Sequence, residues 1–425
     1  MKKALVFGGG GAKGSYEIGV WRALNKLHMK FDIVCGASIG SINGALYVLG
    51  KYNLAKRMWK TIKTTDLFDF DIGGDIKDLD YKGLLKEIVT KGGMSFDKAT
   101  GYLNKLIDER KLRLSKIDYG LITVSLTHKK PRMLTKAEIP YGKLVDYISA
   151  SCICYPFIAK KDIDGESFID GGFYDNLPIN LAIDMGADEV VAVNLSAIGL
   201  SKQVKNKDVN VTYIKLKDAK LFTLSFNKEY ALRNMRLGYN DTMKTFKKLD
   251  GDIYTFKQGD LERNYKNIEN SYLSLIKDVL MNNKSVLEIF KVSKYKKLFN
   301  SITNKKNINQ EVNEVIEYLG QIFELDTSKI YNIDIYNKKL IRNIDELSYI
   351  KINKNLTGKF LISYIYNKYK NEDLNKIKKE LYNIALLFPK EFLSATYLIC
   401  LVNKYSFVYE TEELYKEIRK VFNLR

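Results

Sequence analysis

A chain of 425 residues in which 46% of side chains are hydrophobic and 28% are charged has the make-up of a globular protein, with room for about two to three domains of ordinary size. No apolar run approaches the roughly 20 residues that a membrane-spanning helix needs; the best candidate, Tyr397 to Val402, stops at Asn403-Lys404. The formal net charge of +19 divides into +5 over residues 1–200 and +14 over residues 201–425. A basic second half suits an anionic lipid surface or nucleic acid, but lysines scattered among abundant Asn, Ile and Tyr read equally well as solvated faces.

The start, Met1-Lys2-Lys3-Ala4-Leu5-Val6-Phe7, is basic, but its apolar run is too short for a signal peptide, and a cytoplasmic location is the expectation. The four cysteines, Cys35, Cys152, Cys154 and Cys400, have neither metal-ligand spacing nor a disulfide framework, which fits a reducing compartment.

Lys3 to Phe7 predicts a short buried strand. Gly8-Gly9-Gly10-Gly11-Ala12-Lys13-Gly14 follows, then a helix over Ser15 to Leu27 with Ile18, Trp21, Leu24 and Leu27 near helical spacing. Three chemistries compete for the glycine loop. A nucleotide-phosphate loop fails, because Ala12 precedes Lys13 and Gly14 follows it. The dinucleotide fingerprint G-x-G-x-x-G is matched by Gly9 to Gly14, but it wants an acidic residue at the end of the second strand, and Asp32 stands at that strand's beginning. The third reading is an oxyanion hole, in which successive backbone N–H groups converge beside a helix N-terminus.

What favours the third reading is the stretch Phe31-Asp32-Ile33-Val34-Cys35-Gly36-Ala37-Ser38-Ile39-Gly40-Ser41-Ile42-Asn43-Gly44. A strand that ends in G-x-S-x-G and turns directly into a helix is the layout of a nucleophile elbow, with Gly36 and Gly40 permitting the tight turn and Ser38 at its apex. The elbow helix is expected to run to about Leu49, and a second helix from Asn53 to Ile62.

Thr64 to Met94 is loop-rich and carries Asp66, Asp69, Asp71, Asp75, Asp78 and Asp80; it lacks the EF-hand pattern of glycine and glutamate and reads as a solvated acidic loop. A helix is predicted over Lys98 to Arg110, neighbouring strands over Tyr119 to Leu126 and Arg132 to Thr135, and a helix over Leu144 to Ile153. A hairpin with Asp164-Gly165 at its turn leads into Asp170-Gly171-Gly172, where two glycines let the carboxylate stand at a crowded bend. A short helix, Ile179 to Met185, and strands over Glu189 to Asn194 and Asn210 to Leu216 complete the sheet.

From about Glu262 only Gly320, Gly358 and Pro389 interrupt stripes at helical spacing: Tyr272, Leu275, Ile276 and Val279; Val312, Val315, Ile316 and Leu319; Leu374, Ile377, Leu381 and Ile384; and Leu414, Ile418, Val421 and Phe422. This predicts an α/β domain over residues 1–260 and an all-helical domain over residues 261–425, whose stripes read as core.

An acyl-transfer serine needs a base, and the chain has only two histidines. His28 ends a helix and His128 sits in a basic turn. Either His128 completes a triad, or the base is a carboxylate, for which Asp170 is the better placed; enclosure and proximity raise its effectiveness.

The loop Gly9-Gly10-Gly11-Ala12-Lys13-Gly14, the elbow Gly36-Ala37-Ser38-Ile39-Gly40, the segment Ser149-Ala150-Ser151 before Tyr155-Pro156, and Asp170-Gly171-Gly172 resemble the patatin-like phospholipases, in that family's order. The resemblance covers about residues 1–260 and includes Gly238-Tyr239-Asn240-Asp241-Thr242, similar to a stretch in bacterial members. It implies a three-layer α/β/α domain and a Ser–Asp dyad, with Ser38 as nucleophile and Asp170 as base. It also implies an oxyanion hole from Gly9, Gly10 and Gly11 with Lys13 and Gly14, and Gly36, Gly40, Gly171 and Gly172 in support. The implied activity releases fatty acid from phospholipids or lysophospholipids without metal or other cofactor. Peripheral contact with an anionic membrane is a possible further partner, and nucleic acid is not expected. The rival readings are an esterase or thioesterase acting on soluble acyl compounds and a non-catalytic lipid-binding scaffold.

Overall fold

In the computed structural model, which describes residues 1–67, 88–90, 92–218, 226–280, 308–347, 358–371, 380–381, 384–385 and 387–402, the chain forms two units, Met1–Phe246 and Lys247–Arg425. The first is built on an eight-stranded sheet. Its strands are β1 (Lys3–Phe7), β2 (Ile33–Ala37), β3 (Asp118–Ser125), β4 (Lys130–Thr135), β5 (Lys161–Ile163), β6 (Glu166–Asp170), β7 (Glu189–Asn194) and β8 (Asn210–Lys215). They lie in the order β5-β6-β3-β2-β1-β7-β8, with β4 paired to β3. β3, β2, β1, β7 and β8 are parallel, whereas β4, β5 and β6 run antiparallel to their neighbours.

The pleat sorts the strand side chains into two cores. Leu5, Phe7, Val34, Tyr119, Leu121, Val191 and Val193 face α1 (Ser15–Lys26), α2 (Ile39–Val48) and α3 (Tyr52–Thr61). Ala4, Val6, Ile33, Cys35, Val190 and Ala192 face the opposite way, onto Leu177, Ile179, Leu181 and Ala182. Three of those last four lie on a short helix, Ile179–Asp184. The result is the three-layer α/β/α arrangement. The connection from β1 to β2 leads one way along the sheet and that from β7 to β8 the other, so the crevice between β1 and β7 opens at their C-terminal ends, where open parallel sheets place their sites.

One predicted helix is broken. Lys98 to Arg110 is two helices, α4 (Asp97–Leu106) and α5 (Glu109–Leu114), because Asp108 turns its carboxylate to accept the Lys111 N–H at 3.0 Å and caps a new helix. After α6 (Leu144–Ala150) and α7 (Ile179–Asp184), the long α8 (Lys228–Thr245) lies along α1. Close approach is possible there because a Cβ on Gly238 would fall 2.0 Å from the Tyr16 carbonyl oxygen and one on Gly19 the same distance from that of Met235. The Tyr16 hydroxyl donates to Asp241 at 2.8 Å across this contact, which gives the Gly238 to Thr242 motif a packing role.

The second unit is helical, with α9 (Asp260–Leu280), α10 (Ile308–Ile322), α11 (Ile333–Leu347), α12 (Gly358–Asn371) and a helix over residues 389–402. Tyr272, Ile276, Val312, Val315, Ile316, Leu319 and Leu381 are core, as their spacing predicts. A small three-stranded sheet, Leu249–Asp250, Thr255–Lys257 and Ile330–Tyr331, accompanies the helices; strands of two or three residues leave no periodic signal to read. Asp69, Asp71, Asp75, Asp78 and Asp80, and the stripe residues Leu374, Ile377, Leu414, Ile418, Val421 and Phe422, lie outside the described residues. Among the described residues, no helix is long and apolar enough to cross a membrane.

Candidate active site

Ser38 stands between β2 and α2 at φ 51° and ψ −129°, a left-handed conformation that a side chain other than glycine adopts only when its surroundings hold it there. Those surroundings are visible. The Ser38 N–H donates to the Ser151 hydroxyl at 2.9 Å, and that hydroxyl donates onward to the Ile122 carbonyl at 2.7 Å. The Ser38 carbonyl accepts from the Ser41 hydroxyl at 2.6 Å and the Ser41 N–H at 2.9 Å. The elbow glycines are close-approach positions. A Cβ on Gly36 would lie 2.3 Å from the Gly40 oxygen, and one on Gly40 would lie 2.4 Å from the Phe7 oxygen. Ser38 itself stays partly exposed.

Asp170 reaches the same place by strand register. Ala37 at the end of β2 pairs with Ile122, and Asp170 at the end of β6 pairs with the next residue, Thr123. β4 occupies the other edge of β3, so β6 takes over the edge where β2 leaves it. Ser38 turns off the sheet level with the arriving Asp170. The Asp170 carboxylate accepts the Gly172 N–H at 2.7 Å, and Gly171 lies so close to β3 that a Cβ there would be 2.3 Å from the Ile122 oxygen. Burial pushes the Asp170 carboxyl up to about 6, and the neighbouring Ser38 side chain and the Gly172 N–H restrain the rise.

The glycine loop lies against this pair. A Cβ on Gly9 would stand 3.1 Å from that of Ser38 and 2.1 Å from Asn176 Oδ1. Gly9 does not offer its N–H to the site, however, because that group donates to the Asn176 carbonyl at 2.9 Å. Among the described residues, the N–H groups of Gly10 and Gly11 have no protein acceptor. Lys13 is buried and donates to the Ser196 carbonyl at 3.3 Å, its ammonium pushed below the usual lysine range by burial. Gly14 packs on α2 and α3, its carbonyl accepting from Asn43 Nδ2 at 3.0 Å, while a Cβ there would meet Ile39 at 2.6 Å.

Beneath the loop lies a buried network that motif reading does not reach. Trp59 Nε1 donates to Asn43 Oδ1 at 3.0 Å, and Asn43 Nδ2 donates to Glu17 Oε2 at 2.7 Å. Burial holds the Glu17 carboxyl well above the ordinary glutamate range, and its other oxygen, Oε1, is buried without a hydrogen-bond partner among the described residues. Asn176 is the other omission. Its side-chain amide donates to the Gly9 carbonyl at 3.2 Å, its N–H to the Leu200 carbonyl at 2.6 Å, and its Oδ1 would be 2.8 Å from a Cβ on Gly172. It therefore clamps the glycine loop to the Asp170 bend; its place six residues after Asp170, just ahead of Leu177-Pro178, is the only local signal. Neither histidine shares this cluster: His128 Nε2 lies 3.8 Å from Glu166, four residues back along β6 from Asp170, and His28 follows the end of α1 on a left-handed turn.

Residues 5–183 match the family model described as patatin-like phospholipase. Among curated proteins, the chain is similar to patatin-like phospholipase domain-containing protein 6 of Mus musculus, 29% identical over 200 residues that make up 46% of this chain and 13% of that protein. It is also similar to lysophospholipase NTE1 of Mycosarcoma maydis, 30% identical over 203 residues, 47% of this chain and 10% of that one. The match thus spans a small part of each relative's length. Both relatives are eukaryotic, so they lend no support to the expected bacterial membership. Among solved structures, VipD from Legionella pneumophila is similar at 15% identity and a TM-score of 0.38, over 94% of this chain and 90% of that one.

Proposed function

We propose that this chain, whose residues 5–183 match the patatin-like phospholipase family model, is a serine acyl hydrolase that releases fatty acid from phospholipids or lysophospholipids, its chemistry carried by residues 1–260. Ser38 is the nucleophile and Asp170 the base. Ionised Asp170 takes the Ser38 proton as Oγ adds to the ester carbonyl. The proton then passes to the departing alcohol, leaving an acyl-Ser38. A water deprotonated by the same carboxylate adds in turn, and collapse frees the fatty acid and restores Ser38. The developing oxyanion is met by the N–H groups of Gly10 and Gly11, while Gly9 serves as the spacer that seats the loop on Asn176.

The observation that carries this reading is the shared edge of β3, which sets Ser38 and Asp170 level with each other. A carboxylate titrating at about 6 is ionised at neutral pH yet more basic than one in water, which suits a base working without histidine. The substrate class rests on the family and on the names of the relatives.

The test is labelling by a fluorophosphonate probe, followed by product analysis on phosphatidylcholine and lysophosphatidylcholine. The parent protein labels and Ser38→Ala does not; free fatty acid appears from the lipids and is lost in Asp170→Asn. Full turnover in Asp170→Asn would overturn the dyad. Turnover of a short-chain soluble ester with none of either lipid would move the reading to a soluble esterase.

A further inference from the structure

The loop from β7 to β8, residues 195–209, has two sides of opposite character. Its inner side walls the site. Leu195 and Ala197 pack against Gly10, the Ser196 carbonyl accepts from Lys13, the Leu200 N–H donates to the Gly172 carbonyl at 3.0 Å, and the Leu200 carbonyl accepts from Asn176. Its outer side is aliphatic and cationic. Ile198 is 101% exposed and Leu200 58%, and Phe173, beside the Gly172 to which Leu200 is bonded, is 46% exposed. Lys202, Lys205 and Lys207 follow, all exposed, and Asp208 is the only acid among residues 196–208.

The loop is held in shape rather than left free. The Ser196 hydroxyl donates to the Leu216 carbonyl at 2.8 Å, and the Lys205 N–H donates to Asn180 Oδ1 at 2.9 Å. Asn180 Nδ2 returns a bond to the Gln203 carbonyl at 2.9 Å, and the Lys202 N–H donates to Asp175 at 3.3 Å. The Lys202 ammonium sits 4.2 Å from the centre of the Tyr174 ring. Ile198 is therefore presented to solvent by a tied backbone, so little further ordering is needed when it finds an apolar environment.

We propose that this loop is an interfacial docking element for an anionic bilayer, with Ile198 and Leu200 entering the acyl boundary and Lys202, Lys205 and Lys207 lying on the headgroup phosphates. The proposal rests on the lipid-hydrolase reading above and supplies the surface that reading lacks. Aliphatic tips flanked by long, flexible lysines are the pattern of a membrane-surface element, whose ammonium groups stay in the polar layer while their stems cover apolar surface. Protein interfaces, by contrast, are depleted in lysine and favour aromatic and arginine anchors. Since the inner side of the same loop touches Gly10 and Gly172, docking here sets the crevice against the layer that holds the ester bonds.

The experiment uses the full chain carrying Ser38→Ala, so that binding is read without turnover, and vesicles of phosphatidylcholine with or without about 30 mol% phosphatidylglycerol. The Ser38→Ala protein is expected to sediment with the anionic vesicles. Adding Ile198→Asp lowers the partition by about tenfold or more, and adding Lys205→Gln with Lys207→Gln removes the preference for phosphatidylglycerol. In the Ile198→Trp protein, emission shifts to the blue on vesicles and is quenched by brominated acyl chains; Trp21 and Trp59, 4% and 2% exposed, stay silent. Thermal unfolding of each variant confirms its fold. Equal partition of Ile198→Asp and its parent, no vesicle binding by the parent, or an unmoved emission from position 198 overturns the proposal. None of these outcomes bears on the fluorophosphonate label at Ser38, so docking and chemistry fail separately.

Discussion

Gly9 and Asn176 bond to each other in both directions: the Gly9 N–H donates to the Asn176 carbonyl at 2.9 Å, and the Asn176 side-chain amide donates to the Gly9 carbonyl at 3.2 Å. The loop beside Ser38 is thus anchored by a residue 167 positions further along the chain. Asn176→Ala keeps the backbone bond and loses the other. We expect it to cost about 1 kcal/mol of stability. It should lower kcat by about tenfold with KM little changed, as when an interaction made chiefly in the transition state is loosened. Steady-state kinetics on a soluble ester, beside a thermal melt, reads both.

Asp170 sets the expected pH dependence. Its folded value is raised from 3.8 to about 6, chiefly by burial, so kcat/KM should fall tenfold per pH unit below about 6, following loss of the ionised base. Stability runs the other way. Between these two values the native state holds more protons than the unfolded state, so the contribution is fully present below 3.8 and is lost as pH rises through about 6. Asp170→Asn should therefore melt at a higher temperature than the parent at pH 7 while being inactive. Asp175, also raised to about 6 by burial, adds to the stability trend, so the comparison is made between variants at one pH.

With Asp170 as base, neither histidine should matter to the chemistry. His28→Ala and His128→Ala are each expected to keep turnover within about twofold of the parent and leave the acid limb of the pH profile in place. A tenfold loss in His128→Ala, with the acid limb moved, would return the triad reading.

Ser151 holds the Ser38 N–H and is itself fully buried. Ser151→Ala leaves that N–H and the Ile122 carbonyl each without this partner and frees the elbow from its left-handed turn. Fluorophosphonate labelling should slow by about tenfold or more, and the protein should lose about 1–3 kcal/mol in a denaturant titration.

How much of this was legible depends on how local each constraint is. The elbow could be read because two glycines, a serine and a following helix stand within a few residues and restrict one another sterically. Asp170 stood out for the same reason, its bend needing the adjacent glycines. The commitment of the Gly9 N–H could not be read, because it is decided by Asn176, which only the completed sheet brings alongside. Ser149-Ala150-Ser151 carried a resemblance but no role until Ile122 and Ser38 were seen on either side of Ser151. The break between α4 and α5 was missed because the apolar spacing continues across it, while one capping carboxylate at Asp108 restarts the helix.

Gly238→Ala would place a methyl group 2.0 Å from the Tyr16 carbonyl oxygen, and Tyr16→Phe would remove the hydroxyl that Asp241 accepts. Gly238→Ala should destabilise by about 3 kcal/mol or more and Tyr16→Phe by about 1–2 kcal/mol, measured by chemical denaturation.

The neighbours of β1 also say where the first unit can be cut. β1 is flanked by β2 and β7, and the Gly8 N–H donates to the carbonyl of Val193. The helix that follows the glycine loop is backed by α8, up to Thr245. Both lie beyond residue 183, where the family match stops. A ribosome that has released only the matched segment has made Ser38 and Asp170 but left the first strand with an open edge and the glycine loop without its wall. The smallest fragment expected to refold as an active unit therefore ends near Phe246, and one ended at residue 183 should be insoluble or unlabelled by the probe.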